Sequence, residues 1–175
     1  MRSAHFIRKY LPTVDTLARM AARDGDGWIE CTCGNKHWGK HGAAGILLIR
    51  NGEIFLQHRA PWVHNGDTWG IPGGARDSHE SIVEAAIREA VEETGINPAD
   101  LTPLTTFTDD HGGWSYSTVI AVASNNLEAH ELNDESHEVR WVAFDDVERL
   151  PLHPSFAKSW PAIRLAAVDA IERAI

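Results

Sequence analysis

Three glutamates in the middle of the chain, Glu89, Glu92 and Glu93, constrain the fold more than any other feature. Their spacing of i, i+3 and i+4 places three carboxylates on one face of a single helix. Like charges at such spacings repel, by roughly a few tenths of a kcal/mol per pair even on an exposed helix. A cation relieves this repulsion, and carboxylate oxygens suit hard divalent ions such as Mg²⁺ or Mn²⁺. The pattern therefore predicts a metal site on this helix, whereas the alternative is a solvated face with ordinary ion pairs.

The residues around these glutamates follow the spacing of a known signature. The stretch has the order Gly, five residues, Glu, seven residues, Arg-Glu, two residues, Glu-Glu, one residue, Gly and an aliphatic residue. This order resembles the box of the Nudix hydrolases. The matching positions are Gly74, Glu80, Arg88, Glu89, Glu92, Glu93, Gly95 and Ile96. Ala90 departs, because the family usually has Leu, Ile or Val there. This is a packing position, so the departure predicts a closer neighbour or a small void, not lost chemistry.

The resemblance implies roles for the residues of the box. Glu89, Glu92 and Glu93 would bind the metal ions and belong to the catalytic set, with the carbonyl of Gly74 as a further ligand. Arg88, also placed in that set, and Glu80 would orient the cluster.

The reaction implied is metal-assisted hydrolysis of a nucleoside diphosphate linked to another moiety. Its most favoured form is a (deoxy)nucleoside triphosphate pyrophosphohydrolase of the MutT type, releasing a nucleoside monophosphate and pyrophosphate. The alternative is a pyrophosphatase of ADP-ribose or of a nucleotide sugar. A non-catalytic nucleotide sensor is a further possibility, but such a protein would be expected to lose box carboxylates, and this chain keeps them.

Residues outside the box are candidates for the remaining roles. The general base is either a box glutamate or an acid from a later loop, where Glu135 and Glu138 precede Trp141. Three residues are candidates for binding the substrate: Arg59, Trp69 and Gly73. The guanidinium of Arg59 has a geometry that suits a phosphate group. Trp62 and Trp114 offer further flat apolar partners for a base, although tryptophans are more often core residues.

A second group of metal ligands lies nearer the N-terminus. Cys31, Cys33, His37 and His41 together offer four ligands of the types that zinc accepts. The Cys-x-Cys spacing is not the usual two-residue gap, and no second cysteine pair follows. The sequence therefore favours two reduced thiols and two loop histidines over a zinc site.

Bulk properties exclude several classes of protein. The 175 residues suit one domain with its own core, and the net charge of −9 argues against a nucleic-acid surface. The longest apolar run is too short to span a bilayer, and the first residues lack an apolar signal core. We therefore expect a cytoplasmic protein, a monomer or homodimer, whose partner is a nucleotide rather than nucleic acid or membrane.

Hydrophobic periodicity and turn residues predict an α/β arrangement of the α+β type, with a mixed sheet between helices. The resemblance implies the Nudix α/β/α sandwich. The predicted single domain comprises an N-terminal extension (1–42), a core (43–154) and a C-terminal helix (155–175). Predicted helices cover about 12–23, Ser78 or His79 to Thr94, a short turn capped by Asp145, and a last helix capped by Ser159. Predicted strands cover Ala43–Ile49, Ile54–His58, an extended piece at Trp69–Gly74, Thr102–Thr108, Ser115–Ala123 and Val139–Ala143.

Overall fold

The computed structural model describes residues 23–130 and 134–174. The predicted N-terminal helix lies, from residue 12 to 22, outside the described residues. The strands are β1 (Trp28–Glu30), β2 (Lys36–Trp38), β3 (Ala43–Arg50), β4 (Glu53–Arg59), β5 (Trp69–Gly70), β6 (Gly73–Ala75), β7 (Leu101–Asp110), β8 (Ser115–Ala123) and β9 (Ser136–Ala143). The helices are α1 (Ile82–Thr94) and α2 (Pro154–Ala174), with 3₁₀ turns at Pro98–Asp100 and Phe144–Arg149.

Seven strands of the described part of the chain form one mixed sheet, which confirms the predicted fold class. Its order is β5-β4-β3-β8-β7, with β6 also paired to β3 and β9 to β4. The β3–β8 pair is parallel and the other pairs are antiparallel. β1 and β2 form a separate antiparallel hairpin in the segment that the sequence left unassigned.

The two strands of the β3–β4 hairpin separate with increasing distance from their turn. Asn51 and Gly52 both have positive φ, as the Asn-Gly signal for a tight hairpin predicts. The two strands pair directly only next to this turn. Farther along, β6 pairs with β3 and β5 pairs with β4. The segment that leads into the box helix is therefore built into the sheet.

Among the described residues, one helix packs on each face of the sheet. Alternate residues of β3 and β4 point to opposite faces, so Ile46, Leu48 and Phe55 pack with α1. Leu47, Ile54 and Leu56 pack with α2 on the other face. Ala90, which departs from the box pattern, is fully buried in the cluster beneath α1.

α1 begins later than predicted. Its N-cap is Ser81, whose side chain accepts a hydrogen bond from the Glu84 N–H, while Glu84 accepts one from the Ser81 N–H. This capping box satisfies two free backbone donors at the helix start. Ser78, the predicted start, donates instead from its N–H and hydroxyl to Asp24. The predicted end is confirmed, because Gly95 closes α1 in the left-handed conformation.

The predictions for the C-terminal segments need two corrections. α2 begins at Pro154, since proline is well tolerated in a first turn, and Pro161 lies inside the helix. Ser159 therefore does not cap α2; its hydroxyl donates to Asp109. Asp145 does not cap the Phe144–Arg149 turn, which has no side-chain cap, and pairs with Arg164 instead.

Candidate active site

The box glutamates lie where α1 crosses the glycine pair of β6. Glu89 and Glu93 are both buried, at 8% and 6% exposure, while the side chain of Glu92 is 36% exposed. A Cβ atom on Gly74 would lie 2.6 Å from a carboxylate oxygen of Glu89. On Gly73, a Cβ atom would lie 2.5 Å from the Cα of Gly45 in β3. Glycine at both positions therefore lets the backbone approach the carboxylates and the neighbouring strand.

Arg88 holds the buried acids in place. Its Nε and Nη2 donate to the two oxygens of Glu80 at 2.6 and 2.9 Å, and Nη2 also donates to the Ala75 carbonyl at 2.9 Å. Nη1 contacts Glu89 as well. Burial alone would lower the pKa of Arg88, but its hydrogen bonds to the Glu80 carboxylate and the charge of Glu89 raise it. Arg88 thus stays charged and orients the cluster, as the resemblance implies.

Glu93 is anchored to the sheet. Its Oε2 accepts hydrogen bonds from Gln57 Nε2 at 3.0 Å and from the Gly73 N–H at 3.2 Å. Ser136 in turn donates to the carbonyl oxygen of the Gln57 side chain. Burial and the negative charge of Glu89 nevertheless raise the pKa of Glu93 to about 8. Burial and a neighbouring like charge both disfavour the ionised carboxylate, and a bound cation would favour it again.

This raised pKa predicts a pH dependence of stability. Because the pKa of Glu93 moves from its ordinary 4.5 to about 8, the folded chain binds this proton more tightly than the unfolded chain. The stabilisation is complete below about pH 4.5 and is lost as the pH rises through about 8. Between these limits, we expect the unfolding free energy of the metal-free wild type to fall relative to Glu93→Gln, by up to about 1.4 kcal/mol per pH unit. Urea unfolding in EDTA measures both profiles, and parallel profiles would contradict the assignment.

Glu92 lies at the outer edge of the cluster. Arg23 Nη2 contacts its carboxylate, and Arg88 Nη1 donates to the same oxygen at 3.4 Å. Arg23 Nη1 is also 3.9 Å from a carboxylate oxygen of Glu89. Two arginines, Arg23 and Arg88, therefore balance negative charge of the closely spaced glutamates.

Three side chains that support the site were missed in the sequence. Gln57 donates a hydrogen bond directly to Glu93. The sequence feature that could have revealed it is a polar residue at an inward-facing position of an otherwise apolar strand. The Tyr116 hydroxyl lies beside the glycine pair, 2.6 Å from where a Cβ of Gly73 would stand. Burial and the charge of Glu93 raise the pKa of Tyr116. Asp77 is buried and accepts from the Gly25 N–H, but one of its oxygens has no hydrogen-bond partner among residues 23–130 and 134–174. No local sequence pattern would have identified Tyr116 or Asp77 as residues of the site.

The two candidate acids differ in position, because Glu138 lies in β9, whereas Glu135 lies just before that strand. Glu138 pairs with His58 across the β4–β9 ladder, so it shares the α2 face and forms an ion pair with Arg140 at 2.6 Å. Glu135 precedes the irregularity in this ladder, and its charge raises the pKa of Glu93. After burial and the charge of Glu89, the charge of Glu135 is thus a smaller contributor to the raised pKa of Glu93, and Glu138 is not among the contributors.

The predicted substrate residues are also divided. The Gly73 N–H reaches the box helix by donating to Glu93, whereas the Arg59 guanidinium donates to the His64 carbonyl at 3.3 Å. Trp69 is 5% exposed in the core beneath α2, with its ring stacked on His58 at 4.8 Å. Little of that ring is left to contact a base. Trp62 is exposed, and Trp114 is half-buried two residues before Tyr116 in the sequence.

The cysteine-rich segment forms the turn of the β1–β2 hairpin. Cys31, Cys33 and His37 place their ligand atoms within 4.8 Å of one another. His41 does not join them, because its Nε2 lies 3.7 Å from Asp24. Three of the four residues considered for zinc thus come together.

Comparison with known proteins decides the family. The model of the NUDIX domain matches residues 39–163. The chain belongs to the Nudix hydrolase family. This Nudix hydrolase is 47% identical to RenU, a Nudix hydrolase from M. smegmatis whose crystal structure superposes with a TM-score of 0.76, covering 83% of this chain and 96% of that one.

Two relatives known from their sequences are similarly close. The Nudix hydrolase is 46% identical over 154 residues to putative 8-oxo-dGTP diphosphatase 3 of Mycobacterium tuberculosis, covering 82% of this chain and 70% of that protein. It is 44% identical over 146 residues to a nucleoside triphosphate pyrophosphatase/Nudix hydrolase fusion protein of Bifidobacterium longum. That match covers 78% of this chain and 30% of the fusion protein.

These comparisons confirm the predicted reaction class, hydrolysis of a phosphoanhydride in a nucleotide. Nudix hydrolases generally use a divalent metal ion, in agreement with the buried carboxylates of the site. In the described part of the chain, no helix is long and apolar enough to cross a membrane.

Proposed function

We propose that this Nudix hydrolase cleaves a (deoxy)nucleoside triphosphate to the monophosphate and pyrophosphate, with Mg²⁺ or Mn²⁺ as its cofactor. The observation that carries the proposal is the pair of buried carboxylates, Glu89 and Glu93, packed against the Gly73–Gly74 backbone. The names of the M. tuberculosis and B. longum relatives support a triphosphate substrate. We retain the predictions of a cytoplasmic location and of a monomer or homodimer.

The residues present fit a hard divalent ion. Glu89, Glu92, Glu93 and the Gly74 carbonyl offer only oxygen atoms, which Mg²⁺ and Mn²⁺ prefer. The pKa of Glu93 is raised, and Arg23 and Arg88 both pair with Glu92. Both observations indicate a concentration of negative charge that a cation would balance. A bound ion supplies neutralisation of the phosphate charge and a water of lowered pKa.

The protein groups then have separate tasks. Arg88 and Glu80 fix the position of Glu89, while Gln57 and the Gly73 N–H fix that of Glu93. Glu135 is our candidate for the general base, since it is the loop acid whose charge reaches Glu93. Arg59 lies on the same side of the sheet as Gln57, and its guanidinium suits a phosphate oxygen. Rotation of Arg59 away from the His64 carbonyl would free it for this contact.

A panel of nucleotides tests the proposal. Purified protein is assayed with Mg²⁺ and with Mn²⁺ on the common nucleoside triphosphates, 8-oxo-dGTP, ADP-ribose, NADH, dinucleoside polyphosphates and nucleotide sugars. We expect a triphosphate to give the highest kcat/KM, with pyrophosphate rather than orthophosphate released. Preference for ADP-ribose or a nucleotide sugar would replace the triphosphate proposal, and no hydrolysis of any member in either metal would refute it.

The two loop acids provide a matched pair of variants. If Glu135 is the general base, Glu135→Gln should lower kcat by about 10²-fold or more and remove the acidic limb of the pH–rate profile. Glu138→Gln should leave both close to wild type, because Glu138 lies on the opposite face of the sheet. Steady-state kinetics over a pH series measures the difference. Equal activity of the two variants would assign the base to a box glutamate instead.

A further inference from the structure

We propose that Cys31, Cys33 and His37, in the β1–β2 hairpin, bind a structural zinc ion. Their ligand atoms lie within 4.8 Å of one another, and Cys33 Sγ is 3.1 Å from His37 Nε2. Two thiolates and an imidazole are ligands that select zinc over the hard ions expected at the box glutamates. This cluster shares no residue with the carboxylate site of Glu89, Glu92 and Glu93.

The distances suit tetrahedral coordination. With Zn–S of about 2.3 Å and Zn–N of about 2.0–2.1 Å, two sulfurs are separated by about 3.8 Å and a sulfur and a nitrogen by about 3.6 Å. The observed separations of 3.1 Å and of at most 4.8 Å bracket these values. Small side-chain rotations would therefore bring the three atoms to a common ion.

The turn explains how a Cys-x-Cys spacing can serve a metal. The Cys31 carbonyl accepts from the Gly34 N–H at 3.0 Å, and the Cys31 N–H donates to the Asn35 carbonyl at 2.9 Å. Gly34 has a φ of +86°, which lets the chain reverse directly after Cys33. The Asn35 side-chain amide also lies 3.7 Å from Cys33 Sγ, as a donor to a thiolate would. The tight reversal thus brings the two thiols and His37 together.

Neighbouring groups hold the imidazole of His37 in position. Its ring stacks on Trp114 at 4.2 Å, with an interplanar angle of 7°. Trp114 is itself fixed by a hydrogen bond from Nε1 to the Gly39 carbonyl at 2.9 Å. Metal-binding histidines are typically oriented by such surrounding contacts.

The open side of the cluster faces the turn between β7 and β8. The His111 ring lies 4.6 Å from that of His37, and the His111 carbonyl is 3.5 Å from Cys31 Sγ. His111 Nε2 is in turn 3.4 Å from Asp109, a carboxylate–histidine pair of the kind that supports zinc ligands. The ring nitrogens of His111 are not among the clustered ligand atoms, so His111 would supply the fourth ligand only after a rotation of its side chain. The ion would then tie the hairpin to the turn that carries Trp114, close to Tyr116.

Metal content is the first test. The full-length protein is loaded with zinc, passed through a desalting column and measured by inductively coupled plasma mass spectrometry. We expect one zinc ion per chain in the wild type and in the control His41→Ala, and little in Cys33→Ser or His37→Ala. Zinc-free wild type after loading, or equal zinc in Cys33→Ser, would overturn the proposal.

Cobalt spectra separate this site from the box carboxylates. Co²⁺ bound by thiolates gives a near-ultraviolet sulfur-to-metal charge-transfer band, which carboxylate ligands do not give. We expect the band in the wild type and in Glu93→Gln, and its loss in Cys33→Ser. A cobalt complex of the wild type without the band would place the metal elsewhere and refute the site.

Thiol reactivity tests the wild type without any variant. The chain has two cysteines, and Cys33 is exposed. Zinc loading should make both thiols slow to react with a disulfide reagent, and a chelator should restore rapid reaction, since metal binding displaces the two thiol protons and protects the thiolates. Rapid reaction of the zinc-loaded protein, or a Cys31–Cys33 disulfide in protein purified under reducing conditions, would count against the site.

Discussion

Replacing Glu93 with glutamine should nearly abolish hydrolysis while leaving the fold intact. The substitution keeps the size of the side chain and its contact with Gln57 but removes the charge of a carboxylate that we propose as a metal ligand. Because a metal ion supplies several kcal/mol of transition-state stabilisation, we expect kcat/KM to fall by roughly 10³-fold, equivalent to about 4 kcal/mol. Steady-state kinetics with the preferred nucleotide and saturating Mg²⁺ measures the loss.

The matched control for Glu93→Gln is the same change at Glu84. Glu84 lies on α1 as well, but it caps the start of the helix, where glutamine also serves. Glu84→Gln should keep wild-type activity. Burial disfavours the ionised form of Glu93, so at neutral pH without metal Glu93→Gln should be at least as stable as the wild type. A folded Glu93→Gln variant that retains most of its activity would show that Glu93 is not a metal ligand.

Arg88→Ala should instead destabilise the protein strongly. Arg88 has a side chain that is 5% exposed and satisfies both oxygens of Glu80, together with Glu89 and the Ala75 carbonyl. Without it, two buried carboxylates lose their cation, and breaking a buried pair in this way costs about 3–5 kcal/mol. Urea or thermal unfolding of the metal-free protein measures the change in unfolding free energy.

An exposed arginine and a double variant sharpen the Arg88 test. Arg149 pairs with Asp146 at the surface, with 79% of its side chain exposed, so Arg149→Ala should cost no more than about 1 kcal/mol. Combining Arg88→Met with Glu80→Gln should cost less than the two single changes added, because the uncompensated charge is removed with its partner. A small loss for Arg88→Ala, or strict additivity, would mean that the network contributes little to folding.

The box could be predicted from the sequence because its information is local. The spacing of Glu89, Glu92 and Glu93 is a property of one helix and holds whatever that helix packs against. The hairpin at Asn51–Gly52 and the end of α1 at Gly95 follow from local backbone preferences in the same way. Each of these was predicted correctly at the level of the residue.

The rest of the site depends on contacts between distant segments. Which of Glu135 and Glu138 reaches Glu93 is decided by the β4–β9 register, with its irregularity between His58 and Arg59. The role of Gln57 depends on a partner 36 positions along the chain. The start of α2 was misplaced because Ser159 is a good cap in isolation, yet it bonds to Asp109 in the folded protein. Burial of Trp69 likewise depends on α2 closing over the sheet.

The anchoring of Glu93 to β4 and β6 has a consequence for how such an enzyme can diversify. Its hydrolytic groups are fastened to the interior of the sheet through Gln57 and Gly73, whereas residues 60–68 form a connection at its edge. Changes of sequence and length in that connection leave the hydrogen bonds of Gln57 and Gly73 to Glu93 unchanged. New nucleotide preferences can therefore be sampled, by natural drift or in a directed library, without each variant having to rebuild its chemistry.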